Sequence, residues 1–251
     1  MGESKKSVWK DKYLVRSYEV DVNGRVRFPV IFNYLLNSTW NHAEGTEFSY
    51  TNMLTRGEVW ALSRFMFRIN RYPKWNDEII VETWGKGSDR FFALRDYIIH
   101  SEKDGKLAAA TSYWLILNKN TYRPQKLDFL LEQFPFQFGR HELEIELEKL
   151  HRPTSPEMGS ADTVRFGDLD VNKHVGAARY TQWLMDGFPI DLVEKKDITS
   201  FEINFISEAK VGDAISTLIE NVEQSPLTFL ASVARKIDNK ELCTARVVFT
   251  G

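Results

Sequence analysis

Apolar and alternating runs of residues fall into two blocks along the chain, one in each half. Such runs predict β-strands when they are rich in β-branched and aromatic residues. The strands predicted from them are 60–70, 78–85, 91–101 and 107–117 in the first half, and 200–207, 214–222, 228–237 and 242–250 in the second. Asp104-Gly105 and Asp238-Asn239 separate the last two runs of each block, and both pairs are typical of hairpin turns.

A helix is predicted ahead of each block, over 29–43 and over 177–187. Pro29 suits the first turn of a helix, where its missing N–H costs nothing. The first helix is apolar on most of its sides, so we expect a sheet to wrap around it. A strand, a long buried helix and then a strand meander in each half is an α+β plan.

The two halves also share a motif. Asp168 to Val175 reads Asp-Leu-Asp-Val-Asn-Lys-His-Val, and a related frame begins at Glu19, so that Asp170 corresponds to Asp21 (170 − 21 = 149). At this offset seven residues of the first half meet identical residues in the second half: Val15, Arg16, Asp21, Val22, Asn23, Val26 and Leu35. The alternate spacing would let an extended segment aim its polar groups the same way. His174 has no twin, because Arg25 takes its place, and the repeat therefore predicts two related domains with a single working site.

Composition and charge argue against a nucleic-acid-binding, a membrane-spanning and a disulfide-rich protein. The chain has 251 residues, 43% of them hydrophobic, and a formal net charge of -2, which argues against nucleic-acid binding. We predict no stable membrane insertion, because no apolar run is long enough to span a bilayer, and a cytoplasmic protein, because no signal peptide is apparent. The single cysteine, Cys243, excludes a disulfide framework and a cysteine-rich zinc site, and its alternating strand position predicts burial. No metal and no cofactor are expected.

The segment 124–160 has no counterpart inside either half, and it ends in a Pro/Ser/Gly cluster. We therefore predict an N-terminal domain over 1–123, an interdomain connection over 124–160 and a C-terminal domain over 161–251.

Several motifs resemble those of one family. The segment 168–175 is similar to an Asp-Leu-Asp-x-Asn-x-His-Val motif, 110–114 to an Ala-Thr-Ser-x-Trp strand, and 72–77 to a Tyr-Pro-x-Trp-x-Asp turn, with Glu-Thr-Trp following at 82–84. These motifs belong to the acyl-acyl carrier protein thioesterases of plants and bacteria, which the whole chain resembles. The resemblance implies a tandem, or double, hotdog fold, in which an antiparallel sheet wraps a central helix in each half.

The resemblance also implies four catalytic residues, Asp170, Asn172, His174 and Glu208. Glu208 or Asp170 would be the general base or nucleophile, His174 would carry a proton or orient the carboxylate, and Asn172 would position substrate or water. The residues alone leave open which carboxylate has which role. For the oxyanion, the backbone N–H groups of Gly176 and Ala177 are the candidates. The absence of Gly-x-Ser-x-Gly and His-Glu-x-x-His argues against a serine α/β-hydrolase and a zincin.

The chain departs from the family in two places. Ala209 stands where plant members carry a cysteine, and Gly176-Ala177 stands where the family tends to have two asparagines. The first half lacks the catalytic set as well. Aligning Asp77 with Asp213 places Tyr72 opposite Glu208, so the second carboxylate is missing too. The resemblance implies that the first half forms the acyl pocket, which fits its missing catalytic set.

Candidate pocket residues are the large apolar side chains of the first half: Phe32, Leu35, Trp40, Phe65, Phe67 and Trp114. The expected partner is an acidic acyl carrier protein carrying the fatty acyl thioester, and its docking surface would be basic. The candidates for this surface are Lys5, Lys6, Lys10, Arg71 and Lys74.

Three functions stay open at this stage. The leading prediction is hydrolysis of fatty acyl-acyl carrier protein, which releases free fatty acid. An acyl-CoA thioesterase and a non-catalytic acyl-thioester sensor are the alternatives. The chain is expected to be a monomer or a homodimer, since the two halves can satisfy each other.

Overall fold

The computed structural model describes residues 6–127, 130, 133–224 and 227–251. Within them, ten strands form one antiparallel sheet. The strands are β1 (Trp9–Leu14), β2 (Glu58–Ile69), β3 (Glu78–Asp89), β4 (Phe92–Ser101), β5 (Gly105–Asn118), β6 (Met158–Thr163), β7 (Ile198–Phe205), β8 (Ala214–Gln224), β9 (Leu227–Arg235) and β10 (Lys240–Phe249). The α-helices are α1 (Phe28–Ala43), α2 (Tyr50–Thr55), α3 (Ala177–Asp186) and α4 (Ile190–Lys195).

The strand order repeats the duplication seen in the sequence. It runs β1-β3-β4-β5-β2-β7-β10-β9-β8-β6, so five strands of the first half meet five strands of the second half in mirrored order. The halves join where β2 pairs with β7, for example at Phe65 opposite Ile203. Because backbone hydrogen bonds cross this junction, the sheet is continuous from one half to the other.

Helices α1 and α3 lie against each other and against the sheet. Pro29 lies in the first turn of α1, as predicted. Phe32 of α1 packs on Phe65 and Phe67 of β2, with ring centroids 4.7 and 5.5 Å apart. Trp183 of α3 is buried in the same core. Each half therefore has a central helix wrapped by antiparallel strands, which is the α+β arrangement predicted.

Two edge strands, β1 and β6, were not predicted. In each of them exposed and partly buried residues alternate, and few are strongly apolar, so the sequence signal is weak. β6 begins at Met158, inside the segment predicted as a connection. Gly159 permits its close pairing with β8, since a Cβ there would lie 2.0 Å from the Thr217 carbonyl oxygen.

The segment between β5 and β6 packs closely on the sheet. The N–H of Gln137 donates to the carbonyl of Gly85 at 2.8 Å, and the N–H of Leu150 donates to Asn204 Oδ1 at 2.7 Å. Leu130 and Phe134 of this segment join a second apolar cluster beside β4 and β5. The segment thus packs on strands of both halves and is not a free linker.

Candidate functional site

The Asp170–His174 motif forms a tight loop ahead of α3. Asp170 Oδ1 accepts the backbone N–H groups of Asn172 and His174, at 2.8 and 3.2 Å. The N–H of Asp170 donates to the His174 carbonyl at 2.8 Å, and Lys173 has a left-handed φ of 63°. The motif is therefore not the extended segment that we predicted from its spacing, because the carboxylate of Asp170 closes the turn.

The structure brings Glu208 to this loop. His174 Nδ1 lies 3.4 Å from Glu208 Oε1, and the two side chains are 38% and 52% exposed. β7 ends at Phe205, so Glu208 lies in the irregular segment after the strand and not on the strand itself. The two residues are 34 positions apart in sequence (208 − 174 = 34) and meet because β7 ends beside the loop.

The corresponding loop of the first half has the same backbone. Asp21 Oδ1 accepts the N–H groups of Asn23 and Arg25, at 2.8 and 3.0 Å, and Gly24 has φ 71°. Arg25, at the position of His174, donates from Nε to Asp21 Oδ2 at 2.9 Å and pairs with Asp197 of the other half. The duplicated motif therefore builds the same turn twice, and its side chains differ at the fourth and fifth positions, where Gly24 and Arg25 correspond to Lys173 and His174.

The turns that bring in Tyr72 and Glu208 also match. The N–H of Lys74 donates to Asp77 Oδ2 at 2.7 Å, and the N–H of Lys210 donates to Asp213 Oδ2 at 2.8 Å. Tyr72 therefore occupies the position of Glu208, as the alignment of the two aspartates predicted. Tyr72 and Arg25 lie together on the wall of a cavity of about 670 Å³ between the halves.

A larger cavity of about 840 Å³ contains the other set of residues. Asp170, Asn172, His174 and Glu208 all line it, together with Tyr180. The rest of its wall comes largely from apolar side chains of the first half and the segment after β5: Leu36, Trp40, Phe48, Met53, Trp60, Leu62, Ala93, Trp114, Leu130, Phe134 and Phe136. Polar residues from one half thus face an apolar cavity built by the other half.

The predicted pocket residues divide into two groups. Trp40 and Trp114 line the larger cavity. The remaining four, Phe32, Leu35, Phe65 and Phe67, are fully buried in the main core and are absent from the cavity wall. Their side chains lie in the packed core between α1 and the sheet. Apolar character alone does not distinguish such core residues from residues that line a pocket. The sequence reasoning missed the wall supplied by α2 and by the segment after β5, for which the aromatic run Phe134, Phe136 and Phe138 was the available signal.

The two predicted oxyanion donors differ in the structure. The N–H of Gly176 donates to the Asp168 carbonyl at 3.0 Å, so it is already occupied. Ala177 begins α3 and lines the cavity, and its N–H finds no acceptor among the residues that the structure describes. The first N–H groups of a helix have no intrahelical acceptor, which leaves Ala177 as the available donor.

Ala209 and Cys243 are both buried. The N–H of Ala209 donates to Tyr180 Oη at 3.0 Å, which fixes the segment after Glu208 against α3. Cys243 lies fully buried in β10, as its alternating position predicted, and burial raises the pKa of its thiol.

The predicted basic surface is not assembled at the cavity. Lys10 forms an ion pair with Glu82 at 2.5 Å, and Arg71 pairs with Asp104 at 2.7 Å. Lys6 and Lys74, like these two, are absent from the cavity wall, and Lys5 lies outside the described residues. The lysines that line the cavity are Lys210 and Lys240.

The described part of the chain contains no group of three or more His, Cys, Asp or Glu side chains placed to hold a metal ion. None of its helices has the length and apolar character required to cross a membrane.

Family models match both halves of the chain. Residues 6–129 match the model described as the acyl-ACP thioesterase N-terminal domain, and residues 152–250 match that of the C-terminal domain, where ACP denotes acyl carrier protein. Oleoyl-acyl carrier protein thioesterase 1 of Arabidopsis thaliana is 29% identical over 227 residues, which are 84% of this chain and 63% of that protein. The FATB1 acyl-[acyl-carrier-protein] hydrolase of Cuphea viscosissima is 26% identical over 224 residues, which are 84% of this chain and 54% of that protein. The chain thus spans between about half and two thirds of the length of these relatives.

Solved structures share the fold. A crystal structure of an acyl-ACP thioesterase from Bacteroides thetaiotaomicron superposes with a TM-score of 0.86 and 26% identity, and covers 98% of this chain and 100% of that one. The 12:0-ACP thioesterase from Umbellularia californica has a TM-score of 0.86 at 23% identity, with 98% and 95% covered, which supports the fold alone. The predicted double hotdog is confirmed, and with both family models matched, this chain belongs to the acyl-ACP thioesterase family.

Proposed function

We propose that this protein hydrolyses the thioester of fatty acyl-ACP and releases the free fatty acid. The observation that carries the proposal is the contact of His174 with Glu208, 3.4 Å apart, on the wall of an otherwise mostly apolar cavity. A fatty acyl chain suits an apolar cavity, and its thioester suits a carboxylate and an imidazole held together at the wall.

In the proposed reaction, water adds to the thioester carbonyl carbon while the Glu208 carboxylate accepts the proton of that water. The Ala177 N–H, at the start of α3, stabilises the oxyanion of the tetrahedral intermediate. The C–S bond then breaks, and His174 relays to the departing thiolate the proton that Glu208 took from the water, which restores both side chains. Asn172 positions the substrate or the water through its amide.

Asp170 has a different proposed role. Its Oδ1 is already occupied by two backbone N–H groups, as Asp21 Oδ1 is in the first half, where Arg25 replaces the histidine. A bond pattern that persists without the histidine supports a positioning role for Asp170. Glu208, in contact with His174, is therefore the better candidate for the general base.

The proposed carrier of the acyl group is ACP, because the family models and the named relatives all refer to it. Lys210 and Lys240, on the cavity wall, offer positive charge to an acidic carrier or to the phosphate of its prosthetic arm. We further propose that the first half, which lacks the catalytic set, selects the acyl chain, and that 124–160 connects the two domains. Cytoplasmic location and a monomeric or homodimeric state stay predictions.

The test measures free fatty acid and free thiol released from acyl-ACP and acyl-CoA of equal acyl length. We expect the wild-type protein to favour acyl-ACP, and Glu208→Gln to lower kcat by about 10²–10⁴-fold, the usual contribution of a general base. Tyr72→Phe, at the counterpart position in the first half, is the matched control and should keep wild-type kcat. Tight binding of acyl-ACP without turnover by the wild-type protein would instead identify a sensor.

A further inference from the structure

Arg95 is the unusual residue of the larger cavity. It lies on β4, is only 7% exposed and lines the cavity. Within the described residues it forms no ion pair with a carboxylate. Two other cations near the cavity are paired: Lys86, equally buried, lies 2.8 Å from Asp96, and Arg235 lies 2.7 Å from Asp238. An unpaired guanidinium in an apolar setting is costly unless a partner compensates it.

The protein supplies only part of that compensation. Arg95 Nη1 donates to His42 Nδ1 and to Thr83 Oγ1, both at 3.0 Å. His42 Nε2 lies 2.8 Å from the Lys6 carbonyl, which can only accept, so Nε2 carries the ring proton and Nδ1 is the acceptor. Burial and the neighbouring guanidinium lower the pKa of His42 to about 3, so this imidazole is neutral and adds no second charge. Arg95 Nε and Nη2 have no acceptor among the described side chains or backbone.

The position of Arg95 favours the acyl chain over the carrier and its prosthetic arm as the partner of its spare donors. The Arg95 guanidinium lies 5.6 Å from the ring centroid of Phe134, which packs edge-on against His42 at 5.1 Å. Arg95 is on β4, and β4 is three strands from β7, after which Glu208 follows. Three strand spacings are about 14 Å along the sheet. The guanidinium therefore lies on a part of the cavity wall separate from Glu208, among apolar side chains that suit an acyl chain.

We propose that Arg95 forms a polar subsite for a hydrogen-bond-accepting oxygen carried by the acyl chain, remote from the thioester. The subsite rests on the proposed function, since it takes the acyl group of the same substrate. A hydroxyl and a carboxylate share this acceptor chemistry, and both satisfy the spare donors of the guanidinium. A carboxylate also neutralises its charge, so it gains more from the contact. A plain hydrocarbon chain leaves these donors unsatisfied.

The test compares acyl-ACP substrates of equal length that end in a methyl, a hydroxyl or a carboxylate group, in a series of lengths. The wild-type protein should show a kcat/KM at least tenfold higher for an oxygenated chain than for the methyl chain at one length. Arg95→Met should abolish that ratio and should keep or raise kcat/KM for the methyl chain. Arg95→Lys, which keeps a charge without the planar fork, should retain part of the ratio.

Two outcomes would overturn the subsite. One is a wild-type protein that favours methyl-terminated chains at every length, a result that needs no variant to fold. The other is Arg95→Met with an unchanged ratio. Calorimetric binding of the same acyl-ACP series to Glu208→Gln, with and without Arg95→Met, gives the same comparison without fast turnover. Failure of the proposed function is distinct, because then no acyl-ACP would be hydrolysed by the wild-type protein, whatever its chain end.

Discussion

Arg25 and His174 occupy the same position in two loops of identical hydrogen bonding, one in each half of the molecule. In both loops the backbone N–H of this residue donates to an aspartate, at 3.0 Å for Arg25 and 3.2 Å for His174. The side chains then diverge: His174 meets Glu208 within its own half, whereas Arg25 crosses to Asp197 of the other half. The second-half loop thus presents the pair His174 and Glu208 to the larger cavity, and the first-half loop links the two halves through Arg25 and Asp197.

Substitutions at Asp170 test whether the turn that it closes positions His174 beside Glu208. An asparagine at position 170 keeps the oxygen that accepts the two backbone N–H groups, but it cannot act as a base. We expect Asp170→Asn to keep kcat within roughly tenfold of wild type, and Asp170→Ala, which opens the turn and misplaces His174, to lose about 10²-fold. Steady-state kinetics on acyl-ACP would check this. Equal loss in both variants would show instead that Asp170 takes part in the chemistry.

Arg25 should contribute to stability and not to hydrolysis. It pairs with Asp21 at 2.9 Å and with Asp197, and Nη2 donates to the Val193 carbonyl at 3.1 Å. Arg25→Met leaves these acceptors without their donor in a partly buried site, so we expect about 1–3 kcal/mol lower free energy of unfolding. Urea unfolding measures this loss, and kcat at a temperature well below the transition should stay at the wild-type value. A stable but inactive variant would contradict the assignment.

The duplication could be predicted from the sequence because each aspartate closes its turn by bonding residues only two and four positions further on. The residues that form the turn are therefore adjacent in sequence, and the same short motif occurs in both halves. The contact of His174 with Glu208 could be inferred only through the family resemblance, since it depends on where β7 ends. The cavity wall was harder to predict. Phe32 and Trp40 are both large apolar residues of α1, but they lie on different faces of the helix, and only the tertiary placement of α1 decides which face meets the core and which meets the cavity. The segment after β5 alternates at 134–138 and at 142–148, yet the structure forms no strand over 133–157, so the pattern did not indicate how the segment packs.

The cavity wall offers a test of chain-length selection. Ala93 of β4 lines the cavity and packs in one cluster with Phe134. Leucine at this position adds side-chain volume to the cavity wall, so Ala93→Leu should shift the preferred acyl chain to a shorter length and lower kcat/KM for the longest wild-type substrates by about tenfold or more. A panel of acyl-ACP lengths measures the shift. Ala161→Leu, at an exposed position of β6, is the matched control and should leave the profile unchanged.

Cys243 should be inert while the protein is folded. It is fully buried in β10, and burial raises the pKa of its thiol, so little thiolate forms at neutral pH. A thiol reagent should modify it slowly in buffer and rapidly in denaturant, and Cys243→Ala should keep wild-type kcat. Rapid modification of the native protein together with loss of activity would contradict a purely structural role.

His42 links stability to pH through its contact with Arg95. Its folded pKa, about 3, lies below the ordinary histidine value of 6.5, because burial and the guanidinium disfavour the imidazolium. The unfolded chain therefore takes up a proton as pH falls through 6.5, while the folded protein does not until pH approaches 3. The stabilisation is present in full above pH 6.5 and declines below it, by up to about 1.4 kcal/mol per pH unit. His42→Gln removes the titrating group, so urea unfolding between pH 7 and pH 4 should show a shallower loss for this variant than for wild type. Equal slopes for the two proteins would show that His42 takes up its proton over the same pH range in the folded and unfolded states, and the lowered pKa assigned to the folded imidazole would be wrong.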